Sequence, residues 1–323
     1  MKKSLLQNRI ILFITAVLCT ALWGGAFPGI KIGYQVLNIT GDDTGLQLVF
    51  AGIRFFLAGC LAWIIGSLIF RRPLVPKKTS WGYIFILAML QTYLQYFFFY
   101  VGLAHTTGVK ASIIEAMNVF VALFVAAGLF RQEKLTLKKT LGCVIGFAGV
   151  VLINIGGVSF DFHLWGEGAI VMSTVAYAFS SVCIKNFSKY EEPFVLSAFQ
   201  FMTGGVLLAV TGCMWKKGKA GSFDDIWDLI HRCLTKDGIL VILLLAGISA
   251  VAYSLWGQLL KYNNVSRVSV FGFLTPVFGV LFSALFLKEK TAVSAAVVVI
   301  SLVFVSIGIL MQNEGSKNTK TFE

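Results

Sequence analysis

The sequence predicts an all-α polytopic membrane protein: ten transmembrane helices arranged as two inverted five-helix repeats. Three observations predict it. Of 323 residues, 57% are hydrophobic and only 13% charged, about half the charged share of a soluble domain, and the mean hydropathy is +0.83. Apolar runs long enough to span a bilayer, about 20 residues each, recur ten times between charges, glycines and prolines. Short segments of the first half also return, in the same order, in the second. The first observation excludes a single-core soluble enzyme. The second leaves residues for short connections only, so no appended soluble domain of ordinary size is expected.

In lipid each segment must satisfy its own backbone N–H and C=O groups, so runs of this length are helices; strand-like alternation is absent. The first span, 10–33, follows Lys2, Lys3 and Arg9. That start resembles a signal peptide, but the apolar run continues well past the usual length, and a retained helix is expected. Gly24, Gly25, Pro28 and Gly29 interrupt it. Proline removes a donor and kinks a helix and glycine permits flexing, so a hinge is expected here. Spans 46–70, 81–103, 110–130 and 137–155 complete the first half. In the last of these, Gly142-x-x-x-Gly146 reads as a helix-packing motif. A polar stretch separates them from spans 166–187, 194–215, 238–262, 266–287 and 291–311. The longest connection, 216–237, places Phe223, Ile226, Trp227 and Ile230 at i, i+3, i+4, i+7. This is an amphipathic helix, read first as a packing helix at the membrane surface and second as a lid.

The net charge is +12, with 27 Lys+Arg against 15 Asp+Glu. In a soluble chain this suggests a nucleic-acid partner. Here the basic residues lie between apolar runs, without a basic domain or stacking motif, and nucleic acid is not an expected partner. Their distribution sets topology instead. With the N-terminus in the cytoplasm, 17 lysines and arginines fall inside and 9 outside, so both termini of this multi-pass plasma (inner) membrane protein are expected to be cytoplasmic. Five cysteines lie in apolar runs and only Cys233 in a polar stretch, without C-x-x-C spacing, and three histidines are scattered. No metal site is expected.

Phe130-Arg-Gln-Glu-Lys134 recurs as Phe286-Leu-Lys-Glu-Lys290, and the same offset sets Tyr100 against Trp256, Leu103 against Leu259 and Ala116 against Gly272. Arg54-Phe-Phe-Leu-Ala-Gly59 aligns with Gln200-Phe-Met-Thr-Gly-Gly205. The repeats are therefore 1–157 and 158–323, the second ending in a short cytoplasmic tail. Five helices per half force the second copy to insert upside down, an architecture of many secondary transporters, with the site near the midplane between halves.

Trp23-Gly-Gly-Ala-Phe-Pro-Gly-Ile-Lys31 resembles the tryptophan–glycine motif that opens EamA-type domains of the drug/metabolite transporter superfamily. Arg54 with Phe55, Phe56, Leu57 and Ala58 resembles the second-helix arginine motif of that family, and Leu274-Thr-Pro276 followed by Leu285-Phe-Leu-Lys-Glu289 its ninth-helix proline and following glutamate. The order, spacing and duplication of these motifs cover nearly the whole chain. The resemblance implies ten helices around a central cavity and the transport, often export, of small metabolites. Two positions depart from it: Phe120 is the first-half counterpart of Pro276, and Glu115 stands where the family is usually apolar. The superfamily is chemically diverse, so no substrate carries over.

Ionisable groups inside a bilayer are costly and mark functional sites. At 1.5 Å per residue, Arg54 lies about 12 Å into the second span and Glu115 about 8 Å into the fourth. For Arg54, holding carbonyls or a neighbouring helix is placed ahead of substrate contact. For Glu115 two readings stand. One is a carboxylate that releases a proton to bind a cation; the other is a salt bridge to Arg54 or Lys110, or snorkelling to the surface. Ala111, Glu115, Asn118 and Ala122 form one small, polar face. In the third span Tyr93, Tyr96 and Tyr100 share a face, with Gln91, Thr92 and Gln95 beside it. Unpaired amides cost several kcal/mol in lipid, so this face points inward. Trp256 and Tyr253, Tyr177 with Ser173 and Ser180, and Trp23 are expected around the same cavity. Rings around a carboxylate suit an organic cation, and an aromatic or amphipathic metabolite almost as well. The substrate-binding candidates are thus Glu115, Asn118, Gln91, Gln95, Tyr96, Trp23, Tyr177 and Trp256. Arg54, Pro28, Gly25 and Pro276 are structural or gating candidates.

The expected function is secondary active transport of a small organic solute (a metabolite, amino acid or organic cation), outward, by alternating access with proton exchange. An uptake permease and a non-transporting membrane partner protein are the alternatives. No P-loop is present, and no His/Asp/Ser or metal cluster suits an intramembrane enzyme; neither catalysis nor a cofactor is expected. The expected partners are the solute, membrane lipid and protons, with the protein a monomer or homodimer.

Overall fold

Along the apolar runs the backbone closes on itself as helix, and short polar side chains cap the helices where the chain turns. The structure, a computed structural model, describes residues 3–154, 162–218, 223–287 and 295–317. The principal helices are α1 (Arg9–Leu37), α2 (Thr44–Phe70), α3 (Lys78–Leu103), α4 (Gly108–Leu129) and α5 (Leu137–Ile153) in the first half. The second half has α6 (Leu164–Phe187), α7 (Pro193–Gly218), α8 (Lys236–Tyr262), α9 (Val265–Phe286) and α10 (Ala295–Lys317). A surface helix, Phe223–Cys233, joins α7 to α8. Among the described residues there is no strand.

Caps explain several boundaries. The side chains of Asn8, Asp43, Thr107, Thr136 and Thr235 accept N–H bonds from the first turns of α1, α2, α4, α5 and α8, satisfying donors that a helix leaves orphaned. Asn38 and Arg71 end α1 and α2 in the left-handed region, at φ 54° and 52°. Among the described residues nine helices are long and apolar enough to cross a membrane. The exception is α5: with 17 residues it is about 26 Å long, short of a hydrocarbon core of about 30 Å. Ten crossings are therefore not established, and Ile155, the expected end of that span, lies outside the described residues.

The inverted repeat is visible in how the halves meet. α2 packs along α7, its counterpart in the other half, through glycines seven residues apart. A Cβ on Gly45 would meet Lys216, one on Gly52 would come within 2.6 Å of the Gly205 carbonyl oxygen, one on Gly59 would meet Ala198, and one on Gly66 would meet Phe194. Numbers rise along α2 as they fall along α7, so the two helices are antiparallel. α5 and α10 repeat the arrangement: a Cβ on Gly142 would come within 2.8 Å of the Gly308 carbonyl oxygen, and one on Gly149 within 2.7 Å of the Ser301 carbonyl oxygen. The cross-half contacts of α1 with α8 and α9 have counterparts in those of α6 with α3 and α4.

The interruption expected in α1 does not occur. Helix runs unbroken through Gly24, Gly25, Pro28 and Gly29. The glycines admit neighbours: Cβ atoms on Gly24 and Gly29 would lie 2.4 Å from Phe278 of α9 and 2.8 Å from Leu245 of α8. The surface helix also differs in register from expectation. It buries Ile226, Leu229 and Cys233, while Trp227 is 60% exposed; the Phe223 side chain lies outside the described residues. The buried face covers Leu37, Ile39 and Leu46 at the α1–α2 turn, Arg232 donates to the Leu37 carbonyl at 3.1 Å, and Lys216 bridges Asp43 and Asp225 at 2.5 and 3.0 Å. Burial pushes the Cys233 thiol up to about 11, so it packs as an apolar group rather than as a nucleophile. Lys288, Glu289 and Lys290 of the second repeat motif lie outside the described residues.

Candidate functional site

Where α1, α3, α4, α6, α8 and α9 converge with Arg54 of α2, they leave a cavity of about 130 Å³, room for about ten waters or one small solute. Each helix presents one face. Trp23, Ala26, Phe27 and Ile30 follow the 3–4 spacing of α1, and Ser249, Tyr253 and Trp256 that of α8. α4 contributes Ser112, Glu115 and Asn118, α3 contributes Gln95, Tyr96 and Phe99, and α9 contributes Gly272, Thr275 and Pro276. Tyr177 comes from the middle of α6.

Aromatic rings form much of the cavity wall. The Trp23 ring lies 5.0 Å from Tyr253, 4.9 Å from Trp256 and 6.3 Å from Tyr177, all edge-on, the geometry ring quadrupoles favour. Tyr96 and Tyr253 share a hydroxyl hydrogen bond of 2.8 Å, tying α3 to α8. The indole N–H groups of Trp23 and Trp256 and the Gln95 amide oxygen have no partner among the described residues.

Two ionisable side chains face this cavity, and neither is ion-paired among the described residues. Arg54 is 2% exposed, with its guanidinium 4.4 Å from the Phe55 ring centroid and 5.7 Å from that of Tyr96. Cation–π attraction supports such a placement, but its Nε has no acceptor and no carboxylate pairs with it among the described residues. Glu115 is half-buried and has neither a hydrogen bond nor an ion pair there. Of its two expected cationic partners, Lys110 pairs instead with Glu167 of α6 at 2.9 Å, and Arg54 does not pair. Thr106 and the His163 backbone N–H complete that Glu167 site at 2.6 and 2.7 Å.

Of the substrate-binding candidates, Glu115, Asn118, Gln95, Tyr96, Trp23, Tyr177 and Trp256 are thus brought together. Gln91 is not. It accepts from Gln200 of α7 at 3.2 Å, while Thr92 donates to the same Gln200 at 2.6 Å. The cause is a π-helical turn, Ala88–Leu94, whose extra residue rotates Gln91 and Thr92 toward α7. The same turn splits the expected tyrosine face: Tyr96 lines the cavity, whereas Tyr93 accepts from Thr211 of α7 at 3.2 Å. Ser180 donates to the Tyr177 carbonyl at 2.7 Å, and neither it nor Ser173 lines the cavity. Arg54 and Pro276 line it; Gly25 and Pro28 lie behind it in α1.

Sequence reasoning missed Ser112, Ser249 and Thr275, which line the cavity. Ser112 stands three residues before Glu115 and Ser249 four before Tyr253, so helical spacing carried a signal for both. Gln200 was aligned with Arg54 by the repeat, which marks it as the neutral counterpart of the buried charge.

The family model that describes EamA-like transporters matches residues 10–155 and again 164–312. The chain belongs to the EamA-like transporter family. A WAT1-related chloroplastic protein of Arabidopsis thaliana is 27% identical over 88% of this chain, which spans 66% of that protein. A protein of Escherichia coli (strain K12) named as a probable amino-acid metabolite efflux pump is 25% identical, with 86% and 87% of the two chains covered. A solved crystal structure superposes with a TM-score of 0.72 at 16% identity, covering 96% of this chain and 99% of that one, and so shares the fold. In this EamA-like transporter the two matched segments contribute jointly to the cavity: α1–α4 come from the first, and α6, α8 and α9 from the second.

Proposed function

We propose that this EamA-like chain is a secondary transporter of a small zwitterionic organic solute of the amino-acid type, exported across the plasma (inner) membrane in exchange for protons. One observation carries the reading: a single aromatic-walled cavity holds an arginine and a carboxylate, neither of them ion-paired among the described residues. A guanidinium matches a carboxylate bidentately, and a carboxylate among rings suits an ammonium. A zwitterion satisfies both. A simple organic cation fits less well, because Arg54 repels it. The cavity volume suits a solute of this size, and the name of the Escherichia coli relative supports both the amino-acid class and the outward direction.

Glu115 needs either the solute's ammonium or a proton as its partner, so binding one and releasing the other is exchange. Alternating access accords with the inverted repeat. The polar clusters on either side of the cavity, Glu133–Lys139–Ser266 and Lys110–Glu167, supply contacts for two gates. The excess of basic residues on the N-terminal side supports cytoplasmic termini.

The test is counterflow of radiolabelled amino acids, with a pH-sensitive dye inside liposomes holding the purified protein. Wild type is expected to exchange an amino acid for protons. Glu115→Gln is expected to abolish proton movement, and Arg54→Gln to weaken binding of the solute about tenfold or more, the loss of one charged contact. Equal transport by Glu115→Gln, or a preference for amines over amino acids, overturns the reading.

A further inference from the structure

A second groove of about 600 Å³ lies on the flank of the bundle between α1, α9 and α10. Its walls are apolar: Phe13 and Val17 of α1, Phe271 and Phe278 of α9, and Leu302 and Leu310 of α10. Among the described residues no side chain fills it, and Phe13 and Leu310 are 52% and 65% exposed. All its charges sit at one end. Arg9 begins α1, Arg267 lies in the first turn of α9, and Asn313 and Glu314 lie near the end of α10. Ser306 is the remaining polar group along its length.

Among the described residues the net charge at that end is positive, two arginines against one glutamate. Arg267 donates to Asn313 Oδ1 at 3.1 Å and to Asn263 Oδ1 at 3.2 Å, so neutral amides hold the guanidinium in place. Arg9 is exposed and close enough to repel it. The one acid at the rim, Glu314, lies 3.8 Å from Lys138 of α5. Two arginines at the mouth of an apolar groove call for an anion with an apolar tail. The length fits too. From Arg267 to Phe278 the groove runs about 16 Å along α9 at 1.5 Å per residue, the hydrocarbon depth of one leaflet, about 15 Å.

We infer that this groove binds one anionic phospholipid, its phosphate held between Arg9 and Arg267 and an acyl chain laid along Phe13, Phe271, Phe278 and Leu302. Basic pockets between transmembrane helices are suited to such headgroups. The bound lipid braces α1 against α9 and α10. Because Trp23 of α1 and Pro276 of α9 line the central cavity, the lipid sits behind two of its walls. The inference stands apart from the solute reading, since lipid binding is measured without transport.

The test is native mass spectrometry of the delipidated full chain, given equimolar phosphatidylglycerol and phosphatidylcholine with identical acyl chains. Wild type is expected to retain phosphatidylglycerol over phosphatidylcholine by about tenfold, two basic side chains each contributing a modest attraction. Arg9→Gln with Arg267→Gln is expected to bring the ratio near one. Arg9→Gln alone, at an exposed position, is expected to lower it while leaving the fold intact. Arg71→Gln with Arg72→Gln, exposed basic residues outside the groove, is expected to leave it unchanged. A wild-type ratio near one overturns the inference. So does an equal loss in the Arg71/Arg72 variant, or equal thermal protection by soluble glycerophosphate, which lacks the tail.

Discussion

Glu133 and Lys139 show what a single buried charge requires. Both side chains are essentially sealed, at 1% and 0% exposure, and their ends are 2.5 Å apart. Lys139 also donates to the Lys134 carbonyl at 3.1 Å. Glu133 accepts from the Ser266 backbone N–H at 3.0 Å and from its hydroxyl, capping the start of α9 with a full negative charge, where the helix dipole favours one. Such a pair is cheap only while complete. Lys139→Met strands the carboxylate and is expected to cost about 3–5 kcal/mol, read as a fall in the unfolding temperature of the detergent-solubilised protein. Adding Glu133→Gln to that variant is expected to recover part of the loss. If the double variant is as unstable as the single, the carboxylate's charge is not what matters. Arg54 is the contrasting case, a buried charge supported by two ring faces and left open on the cavity side.

At the scale of elements, the glycine spacing of α2 decides how closely the halves approach. A methyl at Gly52 meets backbone atoms, 2.6 Å from both the Gly205 oxygen and the Ala209 nitrogen, and backbone does not yield as a side-chain tip does. Gly52→Ala is therefore expected to destabilise by about 1–3 kcal/mol. Gly82→Ala in α3, with nothing within 4 Å of the new atom, is expected to be neutral or slightly stabilising. Thermal unfolding of the two variants side by side checks this; equal behaviour shows that α2 and α7 separate easily. The π-helical turn in α3 is another local choice with a long reach. It aims Gln91 and Thr92 at Gln200 and leaves Gln95 and Tyr96 for the cavity, and Gly204 of α7 makes room, since a Cβ there would lie 2.5 Å from Thr92.

For the whole molecule, the cavity belongs to neither half. Tyr96 and Tyr253 meet across the repeats, Trp23 meets three rings of the second half edge-on, and α2 with α7 and α5 with α10 form the long seams. Breaking the chain between α5 and α6 is therefore expected to give two pieces that associate when expressed together and recover solute binding. Either piece alone is expected to bind nothing. Solute-dependent thermal stabilisation of the co-purified halves is the measurement, and binding by a lone half would place the site within one repeat.

Composition, run length and the repeat were enough to specify a helical membrane protein of two copies, because lipid leaves the backbone no alternative to helix and the recurring motifs mark the second copy. Helical spacing also put Glu115 with Asn118 on one face, and the cavity rings on faces turned inward. Tertiary packing decided the rest. Which base accompanies Glu167 rather than Glu115, whether Gln91 meets α7 or the cavity, and whether the α1 glycines bend or admit neighbours depend on the partners opposite. The register of the surface helix, with Leu229 and Cys233 inward and Trp227 outward, followed from the α1–α2 turn beneath it. A periodic pattern names a face, but only the surface packed against that face determines which of its polar groups are satisfied and which are left for a ligand.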